Sequence, residues 1–598
     1  MRLLLIHSDY LEYEEMEKAT PQAEEGLPPK DRKEDVLVCF TTVESSDEGV
    51  APQASSQISD VAESIKAKRI ALYPYAHLSS DLASPDLAIP VLKEMEFLLA
   101  EKGYEVYRVP FGWYKSFKLS CKGHALSELS RSISPRREEI IEKVQSRFVI
   151  LYPDGGEVEL DADTQIDDES LRAAYASEAL GKGVGKESPS TKGMVKLELV
   201  DREPASDSGH FRIYPKGVVI FRSIEEWSRE FARSIEAIEV DTPIMYDWSL
   251  PDIREQTISF QQRHYTVTGG DSPKKFVLRF AGDFGLFRML SEATLSYRQL
   301  PLRVFELSKS FRYERSGELS GLKRLRGFHM PDIHCFVRGL DEGWAEYKYL
   351  FEAYEDLAQN SGVEHCTAFH VIGDFYEKNR EKLLDLVNYL GKPVLVEVLS
   401  EKKHYWVIKH EVQGIDSVGA NCQLCTVQLD LEDAARYGIT YVGEDGKQRG
   451  CVILHSSIGS LERWIYMFLE EAYKKKKPYL PFWLSPVQIR LIPVKGEYLK
   501  DCRDLADELS GMARVDIDDR EMTVAKRIRD AEREWVNMIV VMGEEERKND
   551  LKVRDREGEC VTVMSRKELM DEIMSRRAGY PEVDSNLPVL LSRRITFS

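Results

Sequence analysis

FRYERSGELSGLKRLRGFHMPDIHCF, residues 311–336, sets Arg312 and Glu314, then Arg324 and Arg326, then Asp332 and His334, each pair two residues apart. Two-residue spacing puts both members of a pair on one face of a β-strand. Between the first two pairs, Ser316-Gly317 and Ser320-Gly321 supply turn or loop chemistry. The stretch reads as a strand, a loop and a returning strand that bring arginines, a carboxylate and an imidazole to one surface. In a chain of net charge −20, that surface suits the holding of a polyanion.

At 598 residues the chain is long for one core, so three or four domains are expected. With 42% hydrophobic, 31% charged and 10% aromatic residues it is globular in composition, not disordered. The apolar run LLLI after Met1-Arg2 is too short for a signal peptide and reads as a first strand. No run approaches the ~20 apolar residues of a membrane span, so no membrane partner is expected and the cytoplasm is the expected location. Nine scattered cysteines form no disulfide framework. Cys422-x-x-Cys425 lacks the second pair of a zinc ribbon and reads as two core or site-lining thiols. The acidic balance argues against general DNA binding but leaves room for a local basic surface facing another nucleic acid.

Along the chain, 1–145 alternates strand and helix signals, with a polar, turn-rich stretch at 43–60 and a helical pattern in PDLAIPVLKEMEFLLAEKG. FVILYPDGGEVEL reads as a hairpin, and GKGVGKESPSTKG as a flexible linker, within a connecting region 146–195. A large α+β domain is expected over 196–480 and a small α/β domain over 481–598.

Three stretches of the large domain carry the chemistry. IEVDTPIMYD (238–247) reads as a helix end entering a strand through Pro243. The second stretch is the segment quoted above. HSSIGSLERWI (455–465) places Gly459-Ser460 before Glu462-Arg463 at a helix start. Together they resemble motifs one, two and three of the class II aminoacyl-tRNA synthetases and, in detail, the threonyl-tRNA synthetase family. The resemblance extends to both ends: YPYAHLSS, GWYKSF and SELSR resemble the archaeal editing domain, which is related to D-aminoacyl-tRNA deacylases, and the carboxy-terminal unit resembles the class II anticodon-binding domain.

The resemblance implies a multidomain α+β protein with an antiparallel-sheet catalytic domain, which activates threonine with ATP and Mg²⁺, charges tRNA(Thr) and hydrolyses Ser-tRNA(Thr). An editing-only protein acting in trans is the alternative. By the match, Arg312 bridges the α-phosphate and the amino-acid carboxylate, Arg324 and Arg463 hold the triphosphate, Glu314 and Phe328 take the adenine, and Gln428 also contacts ATP. Guanidiniums placed where phosphate charge develops suit this reaction. Asp332, Tyr405, Gln423 and Thr426 match the threonine pocket. An apolar pocket separates threonine from valine by only ~10²-fold, and the family answers with Zn²⁺ on one Cys and two His. His334 and His455 match the histidines, while Asp283 in LRFAGDFGLF stands where the family's strand has Cys. An Asp/His/His set remains a zinc ligand set, harder and less selective. Serine still fits such a site, and His77, Tyr114, Lys115 and Glu128 match the hydrolytic site that removes it. Arg554 and Arg556 are candidates for reading the anticodon. Motif one implies a homodimer.

Overall fold

Alternation along the chain's first residues produces a 17-residue strand, Arg2–Lys18 (β1). The computed structural model describes residues 1–597 other than 46, 80, 125, 134–145, 162, 181–187, 261–262, 270–273, 403–404 and 549. They form two compact units, Met1–Lys143 and Val144–Ser598.

In the first unit β2 (Lys30–Thr42), β3 (Arg69–Pro74), β4 (Glu105–Arg108), β5 (Trp113–Cys121) and β6 (Glu128–Ser132) complete a sheet. Its order is β4-β3-β2-β1-β5, with β6 also beside β1. Period two sorts β2: Leu37 and Cys39 face helices α1 (Ala51–Ser64) and α2 (Pro85–Glu101), while Val36, Val38 and Phe40 join Tyr13 and Tyr73 opposite. α1 occupies part of the stretch expected to be turn-rich. Its serines mask an apolar stripe of Ala51, Ala54, Ile58, Val61 and Ala62 at helical spacing.

The second unit is built on ten strands: β7 (Ser146–Leu151), β8 (Glu157–Leu160), β9 (Ile238–Glu239), β10 (Leu302–Phe311), β11 (Gly327–Val337), β12 (His365–Ile372), β13 (Val394–Leu399), β14 (Trp406–Ile415), β15 (Asn421–Asp430) and β16 (Val452–Ser457). Their order is β9-β10-β11-β16-β15-β14-β12-β13-β7-β8, and only β9–β10 and β12–β13 are parallel neighbours. The expected hairpin at 146–160 thus extends this sheet through β7 and β13.

Helices α3 (Glu169–Glu178), α4 (Pro189–Lys196), α5 (Pro215–Ser234), α6 (Asp283–Ser291), α7 (Leu340–Ser361), α8 (Asp433–Arg436) and α9 (Leu461–Lys474) accompany the sheet. Trp227 of α5 meets Trp464 of α9 edge-to-face at 5.0 Å, and Tyr347, Phe351 and Tyr354 of α7 belong to the same core.

Four local expectations change. Part of the expected flexible linker, 181–187, lies outside the described residues, and the rest includes α4, capped by Ser188. Ile238–Asp247 is not a helix end: α5 stops at Ser234, Glu236 adopts φ +58°, and two short strands follow, Ile238–Glu239 and Met245–Asp247. Arg312, Glu314, Arg324 and Arg326 lie in the loop between β10 and β11, so only Asp332 and His334 of the quoted pairs share a strand. Asp283 opens helix α6 instead of standing on a strand.

The carboxy-terminal part carries β17 (Ile489–Pro493), β18 (Val515–Ile517), β19 (Met538–Met542), β20 (Leu551–Asp555) and β21 (Cys560–Met564), ordered β18-β17-β19-β20-β21. β17 is parallel to both β18 and β19, while the two later pairings are antiparallel.

Candidate functional site

The loop between β10 and β11 turns its arginines to different tasks. Arg324 donates to Glu314 through Nε (3.1 Å) and Nη2 (2.9 Å), and Arg263 adds a third bond at 3.3 Å. Arg326 holds the loop itself, donating to the Glu314 carbonyl at 2.6 and 2.8 Å and pairing with Asp207. Arg312 is placed differently. Its Nε donates to the Phe280 carbonyl at 3.1 Å, and its guanidinium lies 5.2 and 5.4 Å from the Phe328 and Phe260 ring centres. Burial and the nearby Arg463 charge lower its pKa. Arg463 likewise donates to carbonyls, of Lys323 (3.1 Å) and Gln423 (3.0 Å). Among the described residues neither Arg312 nor Arg463 has a carboxylate oxygen within 4.0 Å, and Asp332 and Glu314 act on Arg312 only from farther off.

Arg463 sits in the first turn of α9, where Ser460 accepts its amide at 3.2 Å. That end carries the positive pole of the helix. Gly459 makes the turn possible: its φ is +94°, and a Cβ there would meet the Leu424 carbonyl at 2.8 Å.

Strand register assembles the neighbouring pocket. His334 on β11 stands opposite His455 on β16, which stands opposite Gln428 on β15. Two residues along, Asp332, Ser457 and Thr426 form the next row on the same face. Asp283, delivered by α6, places Oδ1 3.0 Å from His334 Nε2 and 3.9 Å from His455 Nδ1. One ligand atom from each of the three residues lies within 4.8 Å of the others, and one carboxylate oxygen with two imidazole nitrogens is a metal-ligand set. Burial opposes the Asp283 charge, but His334 and His455 hold its pKa below the usual carboxylate value.

Burial pushes Asp332 up to about 6, and Ser308 donates to it at 2.9 Å. Thr426 donates to the His410 carbonyl at 2.8 Å, and Tyr405 donates to Gln428 at 2.8 Å while its ring lies 4.8 Å from that of His455. Gln428, grouped by sequence with ATP, therefore stands among the imidazole and threonine-pocket residues. Gln423 presents its backbone carbonyl to Arg463.

Sequence reasoning missed Asp430 and Asp433. Asp430 Oδ2 is 2.9 Å and Asp433 Oδ2 3.9 Å from His455 Nε2. The signal was present: Thr426, Gln428 and Asp430 alternate along one strand face.

In the first unit Lys115 and His77 are linked by aromatic rings. Lys115 Nζ lies 5.3 Å from the Tyr73 ring centre, Tyr73 packs on Tyr75, and Tyr75 meets His77 edge-on at 5.2 Å. Lys115 donates to the carbonyls of Pro110 (2.7 Å) and Trp113 (3.1 Å), and burial lowers its pKa to about 8. Tyr114 is exposed. Glu128 lies elsewhere along β1, opposite Ile6, whereas Lys115 is opposite Glu15. The Glu128 carboxylate accepts from Cys121 at 3.5 Å, and Cys121 is half-buried beside this candidate site residue.

A cavity of about 400 Å³ in the carboxy-terminal part is lined by Lys477, Arg529, Arg533, Arg554, Arg556 and Val561, among others. Arg556 donates to the Pro478 and Glu532 carbonyls at 2.7 and 2.8 Å, while Arg554 is exposed on β20.

The large antiparallel sheet, its arginine-bearing loop and the helix that follows Gly459 are those of a class II aminoacyl-tRNA synthetase. Comparison agrees: the tRNA synthetase class II core domain (G, H, P, S and T) matches residues 265–472 and the anticodon binding domain 488–576. The Archaea-specific editing domain of threonyl-tRNA synthetase matches 1–133. The threonine–tRNA ligases of Thermococcus gammatolerans and Methanopyrus kandleri are 43% and 44% identical to the chain, each over 100% of both sequences. This chain belongs to the threonine–tRNA ligases. The RNA binding domain of threonyl-tRNA synthetase from Cryptosporidium parvum Iowa II shares the fold, with TM-score 0.58 and 23% identity over 65% of this chain and 98% of that one. Full-length relatives that are ligases favour the ligase reading over the editing-only one. Among the described residues no helix is long and apolar enough to cross a membrane.

Proposed function

We propose that Arg312 and Arg463 are the cations that hold ATP and threonine for activation. The observation that carries the proposal is their missing ion pairs: two half-buried guanidiniums, neither within 4.0 Å of a carboxylate oxygen among the described residues, are an anion site prepared in advance. ATP is taken with Mg²⁺. A threonine carboxylate oxygen forms a bond to the α-phosphorus while the bond to the β-phosphate oxygen breaks and pyrophosphate leaves. A ribose hydroxyl of tRNA(Thr) then attacks the carbonyl carbon, and AMP departs.

Arg324 is held by Glu314 and Glu318 and would have to exchange partners to reach a triphosphate. Glu314 and Phe328 are assigned to adenine, and Asp332, Tyr405, Gln423, Thr426 and Gln428 to the threonine side. Asp283, His334 and His455 fit Zn²⁺ by donor type and convergence, and a zinc ion there would bind the amino and hydroxyl groups of threonine. The chain's own part is to place those ligands beside Asp332 and to leave valine, which lacks the hydroxyl, without a partner.

His77, Tyr114, Lys115 and Glu128 are assigned to hydrolysis of Ser-tRNA(Thr), in which water adds to the ester carbonyl and serine and tRNA separate. The assigned limits are 1–145 for editing, 146–195 for the connection, whose first hairpin joins the catalytic sheet, 196–480 for catalysis and 481–598 for anticodon binding, where Arg554 is the freer of the two candidate arginines. Exposed Ile238, Ile244 and Met245 support a homodimer through the first motif, and a translation enzyme is assigned to the cytoplasm. Threonine-dependent ATP–pyrophosphate exchange tests the activation step. A folded protein without exchange, yet able to deacylate Ser-tRNA(Thr), would restrict the function to editing.

A further inference from the structure

His455 meets a carboxylate at each ring nitrogen. Nδ1 faces Asp283 at 3.9 Å, and Nε2 is 2.9 Å from Asp430 Oδ2. Asp430 is 1% exposed, and its other oxygen accepts the amides of Glu432 (2.7 Å) and Asp433 (3.2 Å), which closes the turn ahead of the short helix α8. With both oxygens accepting, the carboxylate has no proton to give and no freedom to turn.

We infer that Asp430 is a positioning residue: by accepting the Nε2 proton of His455, it leaves the Nδ1 lone pair free for the metal shared with Asp283 and His334. The inference rests on the metal assignment above. A neutral imidazole has one N–H, so fixing it at Nε2 decides which nitrogen can bind a metal. His334 has no equivalent support, because its Nδ1 is buried without a hydrogen-bond partner. The histidines therefore differ: one is oriented through its second nitrogen and the other by Asp283 alone. Asp433 is less suited to the role, since its Oδ2 lies 3.9 Å from His455 Nε2 and its Oδ1 is 2.9 Å from Arg436. The donor atoms of Asp430, Asp433 and His455 also lie within 4.8 Å of one another. A second cation there would have to break the 2.9 Å hydrogen bond.

Substitution separates the turn from the orientation of His455. Asparagine at 430 has a single acceptor oxygen. If that oxygen keeps the two amides, its NH₂ faces His455 Nε2 and drives the imidazole proton to Nδ1, the tautomer that cannot bind metal. Serine keeps an acceptor for the turn amides and leaves room for water at Nε2, so the useful tautomer survives. The experiment measures Zn²⁺ affinity by competition with a chromophoric chelator on full-length wild type, Asp430→Asn, Asp430→Ser and His334→Ala. Thermal unfolding verifies that each variant is folded, and Co²⁺ absorption reports the ligand field. The expected result is a 10–100-fold loss of Zn²⁺ affinity in Asp430→Asn and a smaller loss in Asp430→Ser. Should the asparagine variant not fold, the serine variant carries the test, with a measurable loss expected and wild-type affinity overturning the inference. Wild-type affinity in folded Asp430→Asn would also overturn it and leave the metal site standing. Absence of Zn²⁺ from the wild type, or undiminished binding in His334→Ala, would overturn the metal assignment and the inference with it.

Discussion

Replacing Arg312 with methionine should make the substrate-free protein more stable while abolishing its activation chemistry. The guanidinium is half-buried, its pKa is lowered by desolvation and by Arg463, and its hydrogen bond goes to the Phe280 carbonyl at 3.1 Å. Replacing a buried ion pair with well-packed apolar side chains ranges from neutral to a gain of about 4 kcal/mol, and removing the unpaired, half-buried Arg312 charge is taken as about 2–3 kcal/mol within that range. Methionine can keep the packing against Phe260 and Phe328 but loses the carbonyl hydrogen bond, about 1–2 kcal/mol. The net expectation is a gain of about 1 kcal/mol, or roughly 2–4 °C in Tm for a unit of this kind. Activation should fall at least ~10²–10³-fold, the usual loss for one donor to developing charge. Thermal unfolding with and without ATP, beside pyrophosphate exchange, reads both effects: ATP should raise the wild-type Tm and barely move that of Arg312→Met. The reasoning is refuted if the variant loses several degrees without ATP, or keeps the full ATP-induced shift. Arg324→Met serves as the contrast and should be destabilising, because it strips a hydrogen-bonded partner from Glu314.

Three further outcomes follow from particular contacts. Gly285→Ala should cost about 1–3 kcal/mol and weaken metal binding, because its Cβ would overlap Thr242 and the Tyr246 hydroxyl two residues beyond Asp283; urea unfolding and zinc titration check both. Burial lowers Lys115 to about 8, so its ammonium prevails below that pH and is lost above it. Deacylation of Ser-tRNA(Thr), relative to spontaneous hydrolysis, should fall as pH rises through about 8, and Lys115→Arg should remove that inflection. Against burial, Glu411 and Glu397 raise His370 to about 9, so its stabilisation is complete below about 6.5 and disappears as pH rises through 9. The deficit of His370→Gln in urea unfolding should therefore shrink by up to about 3 kcal/mol from pH 6.5 to 9.5, and a pH-independent deficit would contradict the assignment.

The sheet and its imidazole row were legible because period two survives in Asp332–His334 and Thr426–Gln428, and strand pairing preserves it. The loop arginines were legible as residues but not as geometry. Two-residue spacing suggested strands, whereas Ser308 to Phe311 ends one strand and the chain then turns to hold Arg326 on the Glu314 carbonyl. Helix α1 was hidden by its serines, two of which, Ser55 and Ser59, are buried on the inner face among Ala54, Ile58 and Val61. Asp283 could be matched by position but not by element, since nothing local announces that a metal-ligand candidate opens a helix. Asp430 was missed because its importance comes from a partner 25 residues away, His455, which only the pairing of β15 with β16 brings near. Glu128 shows the converse: family resemblance grouped it with Lys115, while the register sets the two against different parts of β1.

The most direct test of the account is threonine-dependent ATP–pyrophosphate exchange on protein stripped of metal and then reloaded with Zn²⁺. The account predicts exchange that vanishes on stripping, returns with Zn²⁺, and favours threonine over valine by about 10⁴-fold or more. Full-rate threonine exchange in the metal-free protein, with the same preference over valine, would contradict it.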